Sequence, residues 1–306
     1  MTRIHRSAWL LATLALVAVV AAACGSTNSG GGTTSKGTVV VAGFDFAESS
    51  ILGQLYGQEL AHNGYTVTYK ARLGKREVVA PAIKAGQIDM YPGYAATDLE
   101  YYNGAAGEAS GDVTATVQKL NARLQPLGLV ALTPSNAVDQ NAFAVTKATA
   151  AQYNLTKLSD LAAIGDKLVL GAGPECPTRP FCQIGLEKTY GIHFKAFKAL
   201  DTDGPLTRAA LANGTIQVGL VFSSDSDLNK LGLVVLQDDK HLENADNVVP
   251  IIRQTVATAD VKAILDKISA NLTTAQLVTL NGQVELQHQD ADAVATAYLQ
   301  QHNYFS

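Results

Sequence analysis

Side chains able to do chemistry concentrate in two short stretches of this 306-residue chain. The first, DMYPGYAATDLEYYNG (89–104), sets Tyr91 and Tyr94 around a Pro-Gly pair and follows them with Tyr101 and Tyr102. Aromatic faces are negative and attract cations without carrying a full charge, which is how quaternary ammonium groups are held. The same tyrosines would also serve as plain packing with wet hydroxyls, and composition does not separate the two readings. The second stretch, GPECPTRPFCQIG (173–185), places Cys176 and Cys182 on either side of Arg179. In an exported chain two cysteines this close read as a short-loop disulfide. A metal site would need His or more Cys nearby, and the stretch has none.

Nothing comparable points to catalysis. There is no G-x-S-x-G elbow, no phosphate-binding G-x-x-x-x-G-K-[ST] loop and no G-x-G-x-x-G. The histidines (His5, His62, His193, His241, His288, His302) are scattered, with no H-x-x-x-H pair. DTDG (201–204), SSDSD (223–227) and QDDKH (237–241) are acidic but lack a full calcium loop, so they read as turns and helix caps. With no nucleophile–base pair, cofactor motif or metal set, the chain is expected to bind a molecule rather than transform it.

The N-terminus says where. Arg3 and Arg6 precede an apolar run from Trp9 to Ala23, interrupted only by Thr13. A bilayer-spanning helix needs ~20 apolar residues, so this shorter run reads as the core of an export signal. Ala21, Ala22 and Ala23 are small enough for a signal peptidase, and Cys24 follows where a bacterial lipoprotein is acylated, although Ala21 stands where Leu is commonest. Residues 25–37 are rich in Gly, Ser and Thr and read as a flexible leash. The expected division is signal 1–23, lipid-anchored tether 24–37 and a mature body held at the outer face of the cytoplasmic membrane. Loss of the signal leaves 21 basic against 27 acidic residues, a net charge of −6. No basic cluster remains, which argues against nucleic acid.

The body of about 270 residues suits two lobes. Strand-like runs at 37–46, 65–73, 87–94, 141–147, 167–173, 215–225, 231–239 and 247–254 alternate with helical patterns at 48–64, 77–86, 112–128, 182–191 and 205–214. Three further helices close the chain, at 258–270, 273–284 and 290–302. This alternation implies α/β layers. AIKAGQIDM (82–90) and ALANGTIQV (210–218) share one frame, and each leads into an aromatic-bearing loop, Tyr91–Tyr94 and Phe222–Asp225. Ligands of open α/β sheets bind off the carboxyl ends of strands. Two such units suggest two lobes with a cleft between them.

VVVAGFDFAESSILGQLYGQEL, GQIDMYPGYAAT, LEKTYGIHF and LVVLQDDKHLENADNVVPIIR, in this order, resemble the substrate-binding lipoproteins of glycine betaine/choline/carnitine ABC importers. The resemblance runs from about Thr38 to the C-terminus. It implies an α/β, two-lobe, type II-like periplasmic-binding-protein fold with a ligand cleft. One lobe would come from 38–140 plus 245–306 and the other from 141–244, with hinges near Asp139 to Asn141 and Glu243 to Asp246. It implies a monomeric receptor with a small-molecule ligand and ABC permease subunits as partners, and no cofactor. Position by position, Tyr94 and Thr97 match a cage tyrosine and a carboxylate-side threonine, and Arg179 matches the carboxylate-binding arginine. Phe143, two residues after Asn141, and Phe222 fall at cage positions. Glu48 retains an acid of the first helix. Phe44 stands where many members carry lysine, and Asp246 where tyrosine is frequent. From Phe44 and an unpaired Asp246 the expectation is weak glycine betaine binding, with a choline-like or less charged, aromatic or polyhydroxylated ligand preferred.

Overall fold

A computed structural model describes residues 35–305, Asn229 excepted; Cys24 and the expected signal lie outside the described residues. The strands are β1 (Thr38–Phe44), β2 (Thr66–Gly74), β3 (Met90–Tyr94), β4 (Leu129–Ala131), β5 (Asn141–Thr146), β6 (Val169–Ala172), β7 (Ala196–Ala199), β8 (Val218–Phe222), β9 (Leu233–Val235) and β10 (Val248–Arg253). The helices are α1 (Ala47–His62), α2 (Arg76–Lys84), α3 (Ala95–Tyr102), α4 (Val113–Leu124), α5 (Lys147–Tyr153), α6 (Gln183–Gly185, continued as a π turn over Leu186–Tyr190), α7 (Pro205–Ala212), α8 (Ala259–Asn271), α9 (Thr274–Glu285) and α10 (Ala291–Gln301).

Two five-stranded sheets result, ordered β2-β1-β3-β10-β4 and β7-β6-β8-β5-β9. Each has the same pattern: two parallel pairings on one side of a central strand and two antiparallel pairings on the other. The central strands are β3 and β8, which follow the two copies of the repeated sequence frame. In both copies a helix ends at a glycine in the left-handed region, Gly86 at φ 71° and Gly214 at φ 74°, which turns the chain into the strand at no Cβ cost. Pro92 of β3 lies opposite Pro250 of β10, so the two missing N–H groups fall on one rung and the rest of the ladder is kept.

Helical spacing puts Ile51, Leu52, Leu55, Tyr56 and Leu60 on one face of α1, and all five are inaccessible. They share one core with α8, α9 and α10, so both ends of the described chain build the first lobe. Each of these side chains contributes about 1.5–3 kcal/mol by leaving water. The second lobe has its own core around Leu158, Leu170, Leu186 and Val218. The chain passes between the sheets after β4 and again after β9. The two connections lie antiparallel, with Val138 opposite Asn247 and Asp139 N donating to Asp246 O at 3.1 Å.

Several elements differ from the sequence expectation. Tyr91–Tyr94 is part of β3 rather than a loop, because β10 pairs with it along its whole length. The next turn of chain, Ala95–Tyr102, is a helix that the periodicity did not reveal. The strands expected over 215–225 and 231–239 shorten to Val218–Phe222 and Leu233–Val235.

Candidate ligand-binding site

A cavity of about 330 Å³ opens where the carboxyl ends of β3 and β8 face each other. That lies at the lower end of the usual range for ligand pockets, about 300–1,000 Å³. Its wall includes Phe44, Tyr94, Thr97, Asn141, Arg179, Phe222 and Asp246, seven of the residues singled out by sequence. Tyr94 closes β3 and Phe222 closes β8, so each central strand delivers one aromatic ring to the same space.

The aromatic wall is broader than expected. Ser49 Oγ accepts from Phe44 N at 2.8 Å and fixes the turn from β1 into α1. This turn presents Phe44 and also Phe46, whose ring centres are 5.9 Å apart. Phe46 lies 6.1 Å from Tyr94 and, across the cleft, 5.2 Å from Phe222. Burial raises the Tyr94 hydroxyl well above its ordinary pKa, and the nearby Glu48 and Asp139 carboxyls push in the same direction. Tyr94 is therefore a neutral donor.

The positive side comes from two arginines. Arg76, at the start of α2, pairs with Asp98 of α3 at 2.7 Å in a buried site. Asp98 Oδ2 also accepts from Tyr94 N at 2.8 Å. That approach requires glycine in the strand, since a Cβ at Gly93 would come within 2.4 Å of the same oxygen. The Arg76 guanidinium carbon lies 4.7 Å from the centre of the Phe44 ring. Burial works against the Arg76 charge, but Asp98 outweighs it and raises the pKa. Where a lysine was missed at position 44, a cation therefore arrives from α2 and stacks on the phenylalanine.

Asp246 lines the wall but is not the unpaired charge expected. Both its oxygens are taken by Thr97: Oδ1 accepts from the backbone N at 2.8 Å, and Oδ2 from Oγ1 at 2.5 Å. Thr97 N is an otherwise unpartnered donor in the first turn of α3, so Asp246 caps that helix from a distant part of the chain. Burial pushes its pKa up to about 6, against the pull of these two bonds.

On the second lobe, Cys176 and Cys182 are bonded, as the sequence suggested. The loop they close lies along the cavity and is tied to β5 by Asn141 Nδ2, which donates to Phe181 O at 2.8 Å. Arg179 projects from this loop. Its partner is Glu77 of the first lobe at 2.7 Å, not the neighbouring Glu175. Glu175 instead accepts from Thr202 Oγ1 at 3.1 Å and faces Lys75 at 3.9 Å. Burial, then Arg76, lowers the Arg179 pKa. Its Nε is buried without a hydrogen-bond partner.

Phe143 is a correction. It is 1 % exposed and packs in the second-lobe core with Cys176, Cys182 and Leu220 rather than on the cavity. It shares a strand face with Asn141 but stands one pleat deeper, beneath the disulfide loop. Among the cavity residues that sequence reasoning missed are Phe46, Lys75, Arg76, Glu77 and Phe181. Phe46 carried a signal, two positions from Phe44. Arg76 and Glu77 carried none, because their partners lie on other elements.

The comparisons agree with this geometry. The family described as the substrate-binding domain of ABC-type glycine betaine transport systems matches residues 37–301. A glycine-betaine-binding protein of Pseudomonas aeruginosa is 27 % identical over 277 residues, covering 87 % of this chain and 88 % of its own. The glycine betaine-binding protein YehZ of Escherichia coli is 27 % identical over 267 residues, covering 83 % and 87 %. A crystal structure of a glycine betaine/carnitine/choline ABC transporter component shares the fold at a TM-score of 0.67 and 22 % identity, over 88 % of this chain and 99 % of its own. Two lobes, a cleft at the ends of matched central strands and a family match over residues 37–301 lead to one conclusion: the protein belongs to the substrate-binding proteins of glycine betaine-type ABC importers.

Proposed function

We propose that the cavity takes a zwitterionic quaternary amine of the glycine betaine class and that the protein presents it to its permease while anchored by a lipid on Cys24. The observation that carries the ligand reading is the composition of the wall: Phe46, Tyr94 and Phe222 bring aromatic rings to it from both lobes, and the guanidinium groups of Arg76 and Arg179 line the same cavity. An enclosed ammonium gains about 0.5–2 kcal/mol from such ring faces. A carboxylate suits the planar fork of arginine. The two grounds for expecting weak betaine binding have different premises in the structure: Arg76 stacks on Phe44, and Asp246 is bonded to Thr97. Choline, with no carboxylate, would make the ring contacts but offer no charged acceptor to the buried Arg179 Nε, which has no hydrogen-bond partner.

Calorimetry on residues 38–306 with glycine betaine, carnitine, choline and a neutral aromatic tests this. Saturable binding of the zwitterions, tighter than choline, is expected. Binding of choline or the aromatic alone would overturn it. The anchor is supported by the N-terminal pattern, and Cys24→Ser should move the protein out of the membrane fraction or leave its signal uncleaved.

A further inference from the structure

One buried carboxyl stands behind the cavity wall and touches both lobes. Glu48, in the first turn of α1, is 2 % exposed. One of its oxygens accepts from Tyr94 Oη at 2.7 Å. The other accepts from Ser224 Oγ at 2.6 Å and from Asn281 Nδ2 at 2.7 Å. Tyr94 and Asn281 belong to the first lobe. Ser224 belongs to the second, two residues beyond Phe222. Asn281 Nδ2 also reaches Ser224 Oγ at 3.1 Å and Ser224 O at 3.3 Å. Ser224 N donates to Asp139 Oδ1 at 3.1 Å, in the first connection between the sheets.

No hydrogen bond among the described residues joins Tyr94 to Ser224, so the Glu48 carboxyl is their link. Nor does any cation pair with Glu48 among the described residues. Burying such a group is costly unless its hydrogen bonds are made. Burial raises the Glu48 pKa, and the bonds from Ser224, Asn281 and Tyr94 pull it back. Two of those three donors come from the first lobe and one, Ser224, from the second. Both oxygens of the carboxyl are thus bonded, one of them across the lobes, and it holds the ring of Tyr94 on the first-lobe side of the cavity.

We propose that Glu48 is a positioning residue that couples the placement of Tyr94 to closure of the lobes through Ser224. This rests on the reading of the cavity as the ligand site. A ligand that settles against Tyr94 aligns its hydroxyl on Glu48. Glu48 then offers its second oxygen to Ser224, whose chain carries Phe222 onto the ligand.

A double-mutant cycle tests the coupling. Tyr94→Phe retains the ring and loses the hydroxyl; Ser224→Ala loses only its hydroxyl. Each should weaken glycine betaine binding about ten-fold, as expected for a hydrogen bond to a charged acceptor. The double variant should lose at least three-fold less than the product of the single losses, and this shortfall should vanish in Glu48→Ala. Independent effects in the presence of Glu48 would overturn the proposal. A second measurement needs no ligand. With one fluorescent label on each lobe, Glu48→Ala and Ser224→Ala should lower the closed fraction of the ligand-free protein, and Glu48→Gln should fall between them and wild type. Equal closed fractions with only a lowered melting temperature would make Glu48 structural. If wild type binds no quaternary amine, the ligand reading fails, and the label distances still decide the role of Glu48.

Discussion

Arg179 Nη2 on the second lobe stands 2.7 Å from Glu77 Oε1 on the first, and its guanidinium carbon lies 5.5 Å from the centre of the Tyr101 ring. One side chain therefore spans the mouth of the cleft while also lining the cavity. The two roles separate by mutation. Arg179→Ala should weaken zwitterion binding ten-fold or more, because it removes a buried charged donor. Glu77→Gln should cost only about two- to five-fold, since Glu77 is half exposed and such pairs are worth roughly 1 kcal/mol or less. The Glu77 effect should shrink at high salt. Calorimetry at two ionic strengths reads both, and equal losses for the two variants would make Arg179 a latch alone.

Phe143 and Phe46 should answer oppositely to truncation. Phe143→Ala opens a void in the second-lobe core and should cost about 3–5 kcal/mol of stability. The fraction still folded should bind ligand with nearly unchanged affinity. Phe46→Ala should scarcely move the melting temperature and should weaken binding several-fold. Denaturation and calorimetry on both variants give the comparison; a binding defect at Phe143 in folded protein would return it to the cavity wall.

Reduction of Cys176–Cys182, or the double serine variant, should lower stability by roughly 2 kcal/mol for so short a loop. Binding should weaken too, since the loop carries Arg179 and Phe181. Urea titrations with and without reductant measure the first effect. Unchanged affinity in the reduced protein would show that Asn141 alone holds the loop in place.

Stability should fall as pH rises from about 4 to about 7. Asp225 lies beside Arg208, Asp227 and Glu285, and burial, with its hydrogen bond to Asp227, holds its pKa up to about 7 despite Arg208. Between an ordinary carboxylate value and 7 the folded chain keeps a proton that the unfolded chain has released, so unfolding becomes easier with each step upward in pH. Above 7 this contribution is constant. Asp225→Asn should flatten part of the slope in denaturant midpoints measured from pH 5 to 8. An identical slope would assign the proton elsewhere.

The layered α/β alternation, the buried face of α1 and the disulfide were legible because each depends on neighbours in sequence. So were Tyr94 and Phe222, which sit at matching places in a repeated frame. Arg76 was not, because its meaning comes from Asp98 and Phe44, on elements that meet only after folding. Asp246 was read as a free charge because nothing local shows that Thr97, far earlier in the chain, would consume both its oxygens. Phe143 misled for a related reason: spacing gives the face of a strand, not the depth at which another loop covers it.

The symmetric placement of Tyr94 and Phe222 at the ends of two equivalent central strands has a consequence for unloading. The first lobe brings Phe44, Phe46 and Tyr94 to the cavity and the second brings Phe181 and Phe222, so the aromatic lining is complete only with both lobes. Separating the lobes by a few ångströms does not weaken every contact evenly; it divides the ring set into two open shelves that water can enter. On the proposed reading of the cavity, a permease that parts the lobes would have no need to compete for the solute chemically, because parting the two surfaces would itself lower the affinity.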